Sequence, residues 1–464
     1  MPDNRKKLLL INPLNKRRIG LIRDNESIYP PMALGIVAAL TPGHWDVEIL
    51  DENFERFEYR EADLVGFTAL TASVNRAYEL AQVYREKGIP TVIGGIHVSM
   101  LPDEALKYVD VVVTGEAESI WATVIKDFED GALKNRYEGV LLPLVKSPKP
   151  RIDLYHPGYQ FGSVQTTRGC PMMCEFCSVH TFNGNCYRFR PVEDVVEEYA
   201  LIPQQRVYFV DDNLIGYNKA STDRVIEICK GIISKGIKKD WFCACSMNVA
   251  KSDEVLHYMA EAGCRMIFLG IESELVDQLE AANKKMNLKI GIDHFKEVYD
   301  ALHRHGIAVL GAFIYGLDTD TPETLMNRTN YILNSPIDAM QITLLTPLPG
   351  TVLYNRLKAE GRLLRMNYPE DWERYDFAEV VYKPGMMTAE ELYESMIKCA
   401  SVLYDHKTLK KKIITTLKAT RNPTAATWAY ASNLQYHNLI FENKRDRVDI
   451  KDIFYQLTEP LAKK

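Results

Sequence analysis

Cys170, Cys174 and Cys177 stand in the stretch TTRGCPMMCEFCSVH, Thr166 to His180, as C-x3-C-x2-C. Structural zinc takes four closed ligands, and a disulfide framework takes an even number of cysteines. Three thiolates within eight residues suit an iron–sulfur cluster in which one iron stays open to a small molecule, as a catalytic metal keeps one open position. A zinc ion with His180 as fourth ligand is the alternative. Cys186 lies nine residues beyond Cys177 and breaks the spacing, so it reads as structural. Cys229, Cys243, Cys245, Cys264 and Cys399 fall within predicted helices and strands, where cysteine is usually a small core hydrophobe.

The elements around the cysteines alternate. From GSVQTTRG onward, strand-like runs (RVYFVDDN, DWFCACSMN, RMIFLGIES, AVLGAFIYGLDTD, AMQITLLTPLPGT) are separated by amphipathic helices such as STDRVIEICKGIISKG. About six β/α units fit, short of the eight of a closed barrel, so an open partial barrel is expected. The polar residues then fall at strand ends, where such folds place their chemistry: Cys170, Asp211 and Asp212, Ser246 and Asn248, Glu272, and Asp318 and Asp320. Helix capping and solvated loop ends are the plainer readings of the acids.

An earlier block, residues 1–145, also alternates: KLLLINP, DVEILDEN, ADLVGFTALT, PTVIGGIHV and VDVVVTGEAE read as strands between helices. That pattern predicts a doubly wound parallel sheet with ligand loops after the strand ends, at Asn12–Leu14, Thr68–Ser73, Gly94–His97 and Thr114–Glu118. No G-x-G-x-x-G or G-x4-G-K-[ST] follows a strand, so dinucleotide and P-loop readings lack their glycines. Small polar loops suit a large flat ligand, and a purely structural or regulatory domain is equally compatible. A proline-containing stretch, 146–162, reads as a linker, 163–360 as the barrel, and 361–464 as a mainly helical C-terminal domain. The basic segment Lys407–Lys418 reads as a solvated helix face or as a contact for something anionic.

The chain has 464 residues, 46% hydrophobic and 25% charged, with a formal net charge of -6. That is ordinary for a globular protein and offers no global basic field for nucleic acid. No run approaches the ~18 apolar residues of a membrane span, and MPDNRKKLLLINP does not read as a secretory signal. A reducing cytoplasm is expected.

C-x3-C-x-aromatic-C, here Cys170 to Cys177 with Phe176, resembles the signature of radical S-adenosylmethionine enzymes. FVDDN and LGIES resemble strand-end motifs of the same family. The resemblance implies a partial (β/α)6 barrel, a [4Fe-4S] cluster on Cys170, Cys174 and Cys177, and an S-adenosylmethionine site lined by Phe176, Asp211, Asp212, Ser246, Asn248, Glu272 and Ser273. CACSMN departs from the family, which often has a basic residue and an acid at that strand end. The preceding domain, through YPPMALGIVAAL, GFTALTASV, GGIHVSMLPDEAL and VVTGEAE, is similar to the cobalamin-dependent branch. There the resemblance implies a flavodoxin-like cobalamin domain contacting its cofactor through Thr68, Leu70, Thr71, Ser73, Gly94, Gly95, His97, Gly115 and Glu116. D-x-H-x-x-G, the source of a cobalt-binding histidine in other cobalamin proteins, is absent, and Leu70 is the candidate for the lower face.

The activity so implied is methyl transfer: a 5′-deoxyadenosyl radical removes hydrogen from an unactivated carbon, which then takes the methyl group of methylcobalamin. The substrate would be a protein or peptide side chain, a lipid, a tetrapyrrole or a natural product, and a flavodoxin or ferredoxin would supply electrons. The alternative is ring cyclisation or rearrangement without net methylation, as in the anaerobic porphyrin cyclase. A non-enzymatic electron carrier or sensor has no use for the acid-bearing strand ends. Methylthio transfer is disfavoured because the first cysteine is Cys170.

Overall fold

The computed structural model describes residues 5–18 and 29–441. Its two large sheets are all parallel. The first contains β1 (Lys6–Asn12), β2 (Trp45–Asp51), β3 (Leu64–Thr68), β4 (Thr91–Gly94), β5 (Val111–Thr114) and β6 (Arg136–Glu138), ordered β2-β1-β3-β4-β5-β6. The order reverses between β1 and β3, the switch point outside which ligands of such sheets bind. Leu8, Leu9, Leu10 and Ile11 of β1 are all buried, as expected of a strand covered on both faces by helices. β6 falls where the sequence suggests only irregular chain. Ile96 onward, expected to continue a strand, instead forms the helix Ile96–Met100. Gly95, at φ 109°, makes that break, in a region that favours glycine.

The second sheet runs β14-β13-β12-β11-β10-β7. Its strands are β7 (Gly162–Val164), β10 (Arg206–Phe209), β11 (Asp240–Cys245), β12 (Cys264–Glu272), β13 (Ala308–Tyr315) and β14 (Ala339–Leu344). This is a six-stranded open barrel. GSVQTTRG is not one strand: β7 ends at Val164, and β8 (Thr167–Arg168) leaves to pair antiparallel with β9 (Arg188–Phe189). The cysteines lie in the loop between β8 and β9.

Helices cover the outer face of the barrel sheet. The other face is closed by the C-terminal helix Pro423–Phe441, whose Ala425, Trp428 and Ala429 pack with Phe242, Met266, Ala308, Leu310 and Ala339. These strand residues lie mostly in the N-terminal halves of their strands, so the helix fills the floor of the barrel. Asn433 fixes it there, accepting from Met340 N at 2.8 Å and donating to Asp338 O at 2.9 Å. Residues 442–446, which the sequence pattern adds to this helix, lie outside the described residues.

The basic segment forms the helix His406–Thr420, and it is not a uniformly solvated face. Lys412 is buried and donates to Ile332 O, Ser335 O and Ile337 O at 3.2, 3.1 and 2.7 Å. Burial lowers its pKa to about 8. Among the described residues no helix is long and apolar enough to cross a membrane.

Candidate functional site

Gly169 opens the cysteine loop at φ 87°, and a Cβ there would sit 2.2 Å from Cys186 O. Only glycine lets the two ends of the loop meet. Cys170 N donates to Gly184 O at 3.1 Å, and Cys177 N to Cys174 O at 3.1 Å. All three cysteines are free, Cys174 buried and the others half-buried. Burial pushes Cys170 up to about 11 and Cys177 up to about 12, and raises Cys174. Each thiol keeps its proton until a metal displaces it. Among the described residues no three His, Cys, Asp or Glu side chains converge on one metal ion. A cluster whose thiolates each take a different iron spreads its ligands more widely, and the all-thiolate donor set fits it.

The loop is anchored from two sides. On the barrel side, Glu175 N donates to Ala282 O at 3.3 Å and Asn283 donates to Met173 O. Arg356 Nε reaches Glu175 Oε1 at 2.6 Å. On the side of the first sheet, Arg188 donates to both oxygens of Glu116, at 2.7 and 2.8 Å, and to Leu142 O at 2.8 Å. Arg168 approaches Glu116 at 3.2 Å and also pairs with Glu118. Burial alone would raise the Glu116 pKa, but the two guanidinium groups outweigh it and hold the carboxyl below its usual range.

The strand-end residues expected around S-adenosylmethionine divide into two groups. Phe176 lies on the cysteine loop itself, Asp212 and Glu272 act electrostatically on its thiols, and Ser246 and Asn248 follow the end of β11. Phe176 is partly buried against the main core. Asp212 accepts from Asn183 at 3.0 Å, and its charge acts on Cys170 and Cys177. Ser246 is doubly bonded to Asn213, at 2.7 and 2.9 Å. Asn248 donates to Gly216 O at 2.9 Å, and its Oδ1 is buried with no protein partner, an acceptor a bound group could satisfy. Glu272, at φ 67°, meets Lys284 Nζ at 2.9 Å.

Asp211 Oδ1 and Ser273 find partners inside the protein, while Asp211 Oδ2, like Asn248 Oδ1, is buried with no protein partner. Asp211 is 1% exposed, and its Oδ1 accepts from Thr166 N at 2.9 Å, Thr167 Oγ1 at 2.7 Å, and Thr167 N. It forms the elbow that turns β7 into β8. Burial raises its pKa to about 6. Ser273 donates to Gln278 at 2.6 Å and accepts from Leu275 N at 3.0 Å, beside the buried Arg328–Asp320 pair.

The loops expected around cobalamin follow three adjacent strands, β3, β4 and β5, and so share one edge of the sheet. Leu70 projects from the first, 68% exposed. Thr68 ends β3, Ser73 Oγ donates to Leu70 O at 3.3 Å, and Ala69 N donates to Gly94 O at 3.2 Å. Gly95 would collide with Ala69 O, and Gly115 with Gly139 O, if either carried a Cβ, so both serve loop-on-loop packing. His97 is not an open loop residue. It is 1% exposed, with Nδ1 3.2 Å from Thr71 Oγ1 and Nε2 3.4 Å from Glu104. Glu104 in turn accepts from Trp372 Nε1 at 3.0 Å. With both ring nitrogens engaged, His97 offers no free lone pair to a metal, whereas Leu70 is open to solvent. Glu116 is committed to the arginines. Sequence reasoning missed Lys284, Arg168 and Arg188; none belongs to a periodic pattern, although Arg168 directly precedes the cysteine loop.

A flavodoxin-like sheet joined to a six-stranded half-barrel, with three free cysteines on the loop after β8, defines the architecture of a radical enzyme built around cofactors. The radical SAM superfamily matches residues 164–332, a B12 binding domain residues 19–125, and a domain of unknown function (DUF4070) residues 351–444. The chain belongs to the cobalamin-dependent radical S-adenosylmethionine enzymes, whose cofactors are a [4Fe-4S] cluster, S-adenosylmethionine and cobalamin. It is 28% identical over 432 residues to bacteriochlorophyllide d C-12(1)-methyltransferase of Chlorobaculum tepidum, covering 88% of this chain and 90% of that protein. It is 30% identical over 357 residues to hopanoid C-2 methylase of Rhodopseudomonas palustris, covering 74% and 67%. In fold it is similar to the radical S-adenosylmethionine methyltransferase TsrM of Kitasatospora setae, with TM-score 0.70 at 18% identity, over 95% of this chain and 100% of that one.

Proposed function

We propose that the protein is a methyltransferase that moves a methyl group from S-adenosylmethionine, by way of cobalamin, to an unactivated carbon. The cofactors supply hydrogen-atom abstraction and a transferable methyl group; the chain supplies ligands, orientation and exclusion of water. Cys170, Cys174 and Cys177 hold the cluster. Phe176, Asp212, Ser246, Asn248 and Glu272 line the cosubstrate, and Asp211 and Ser273 brace the strand ends behind them. Leu70, with Thr68 and Ser73, meets the lower face of cobalamin; Gly94, Gly95 and Gly115 shape the neighbouring loops, and Thr71 and His97 support them from beneath.

The observation that carries this reading is the Glu116 clamp. One carboxylate just after β5 grips Arg168 and Arg188 at the two feet of the cysteine loop, so the loop edge of the first sheet is tied to the loop that carries the thiols. Reacting groups held by two domains need such fixed alignment. Relatives named for action on a bacteriochlorophyllide and on hopanoids favour a ring-built, largely apolar substrate. A flavodoxin or ferredoxin would supply single electrons, in the cytoplasm.

The test is anaerobic reconstitution with iron, sulfide and cobalamin, followed by reduction with methyl-labelled S-adenosylmethionine. About four irons, one cobalt, 5′-deoxyadenosine and label in an added tetrapyrrole or polycyclic lipid are expected. 5′-Deoxyadenosine with no label in any product would point to the cyclase-type alternative. Absence of 5′-deoxyadenosine would refute the radical reading altogether.

A further inference from the structure

Lys284 ends the turn that follows the helix Val276–Ala281. That turn is bonded to the cysteine loop on both sides of Cys174: Asn283 donates to Met173 O, and Glu175 N donates to Ala282 O at 3.3 Å. The Lys284 side chain is 16% exposed, and its Nζ lies 2.9 Å from Glu272 Oε1. The surrounding backbone is shaped to this ion pair. A Cβ on Gly270 would stand 2.6 Å from Glu272 Oε1 and 3.0 Å from Lys284 Nζ. Glu272 takes a positive φ of 67°, and Asn287 holds Gly270 O and Ile271 O at 3.0 Å each.

Lys284 follows directly on Ala282 and Asn283, the two residues bonded to the loop around Cys174. The Lys284 charge acts favourably on Cys170 and Cys174 in their ionised forms, and on Cys174 it outweighs the opposing Glu272. This chain lacks a basic residue at the CACSMN strand end, and Lys284 supplies a fixed positive charge from another element.

We propose that Lys284 is a redox-positioning residue: its largely buried ammonium, oriented by Glu272, raises the reduction potential of the cluster held by Cys170, Cys174 and Cys177. The inference rests on the cluster reading above. One-electron reduction adds a negative charge to a cluster that already carries three thiolates, with the electron coming from an external low-potential donor. A cation in a poorly solvated site stabilises the reduced form more than the oxidised one.

The test is an electron paramagnetic resonance redox titration of the reconstituted full-length protein, without S-adenosylmethionine so that cosubstrate binding plays no part. Lys284→Met is expected to lower the reduced-to-oxidised ratio at fixed potential at least tenfold, which for a one-electron couple is about 59 mV. Lys284→Arg should stay near wild type. Glu272→Gln, which removes the opposing anion, should shift the midpoint the other way. A Lys284→Met midpoint equal to wild type at equal iron content overturns the proposal. If Lys284→Met fails to retain iron, Glu272→Gln decides: a higher midpoint supports the proposal, and an unchanged or lower one overturns it. A wild-type protein with no four-iron signal would sink the cluster reading itself, an outcome distinct from any shift among variants.

Discussion

Glu116 accepts from Arg188 at 2.7 and 2.8 Å, and through that contact the two sheets share the cysteine loop. Removing one partner of a buried pair strands the other charge, at a cost of about 3–5 kcal/mol. Glu116→Ala is therefore expected to lower the unfolding free energy by roughly that amount and to reduce bound iron, measured by urea denaturation and iron assay. Arg188→Met combined with Glu116→Gln should cost less than the sum of the single changes, because Arg168 is still served by Glu118.

Asp211 carries a pH signature. Its carboxyl, ordinarily near 3.8, is raised by burial to about 6. Because the folded state holds the proton more tightly, the stability this group contributes is full below about pH 4 and is lost as pH rises through about 6. The span is at most about 3 kcal/mol, at ~1.4 kcal/mol per pH unit. Asp211→Asn keeps an oxygen for Thr166 and Thr167 and should remove this pH dependence, seen in denaturant melts of the metal-free protein between pH 4 and 7. Asp211→Ala should instead destabilise at every pH, leaving two backbone N–H groups unsatisfied at ~1–3 kcal/mol each.

Leu70 separates binding from folding. At 68% exposure its truncation should change stability by less than ~0.5 kcal/mol. Burying a leucine side chain against a ligand is worth about 1.5–3 kcal/mol, so Leu70→Ala should weaken cobalamin retention roughly tenfold or more. Cobalt content after gel filtration, compared with the thermal melt, checks both halves.

The cysteines should divide cleanly. Cys170→Ala, Cys174→Ala and Cys177→Ala are each expected to lose the four-iron absorbance. Cys186→Ala, at an exposed position, should keep it. Iron retained by Cys177→Ala but lost from Cys186→Ala would reassign the third ligand.

Much of this was legible because two periodicities leave strong marks. Strands such as β13, buried at all eight positions, need continuous apolar runs, and AVLGAFIY is one. The tight cysteine spacing needs no tertiary information. What stayed hidden depends on contacts across long separations. Asp211 reads as a free strand-end acid because nothing local reveals that Thr166 and Thr167 lie above it. Glu116 reads as a loop acid because its partner is 72 residues away. β6, with only three residues, is too short for its alternation to register. The helix Pro423–Phe441 shows as a helix, but its burial on the inner face of the barrel is a matter of which side remains open after the outer helices have formed.

That last helix gives the chamber its topology. With Trp428 and its neighbours packed on the N-terminal halves of the strands, the described residues close the barrel at that end, and the cysteine loop stands at the other. Entry from the cysteine-loop end would make traffic sequential, with spent cosubstrate and product backing out along the path by which their successors arrive. A long substrate entering there would be modified at a protruding end while the rest of it stays outside.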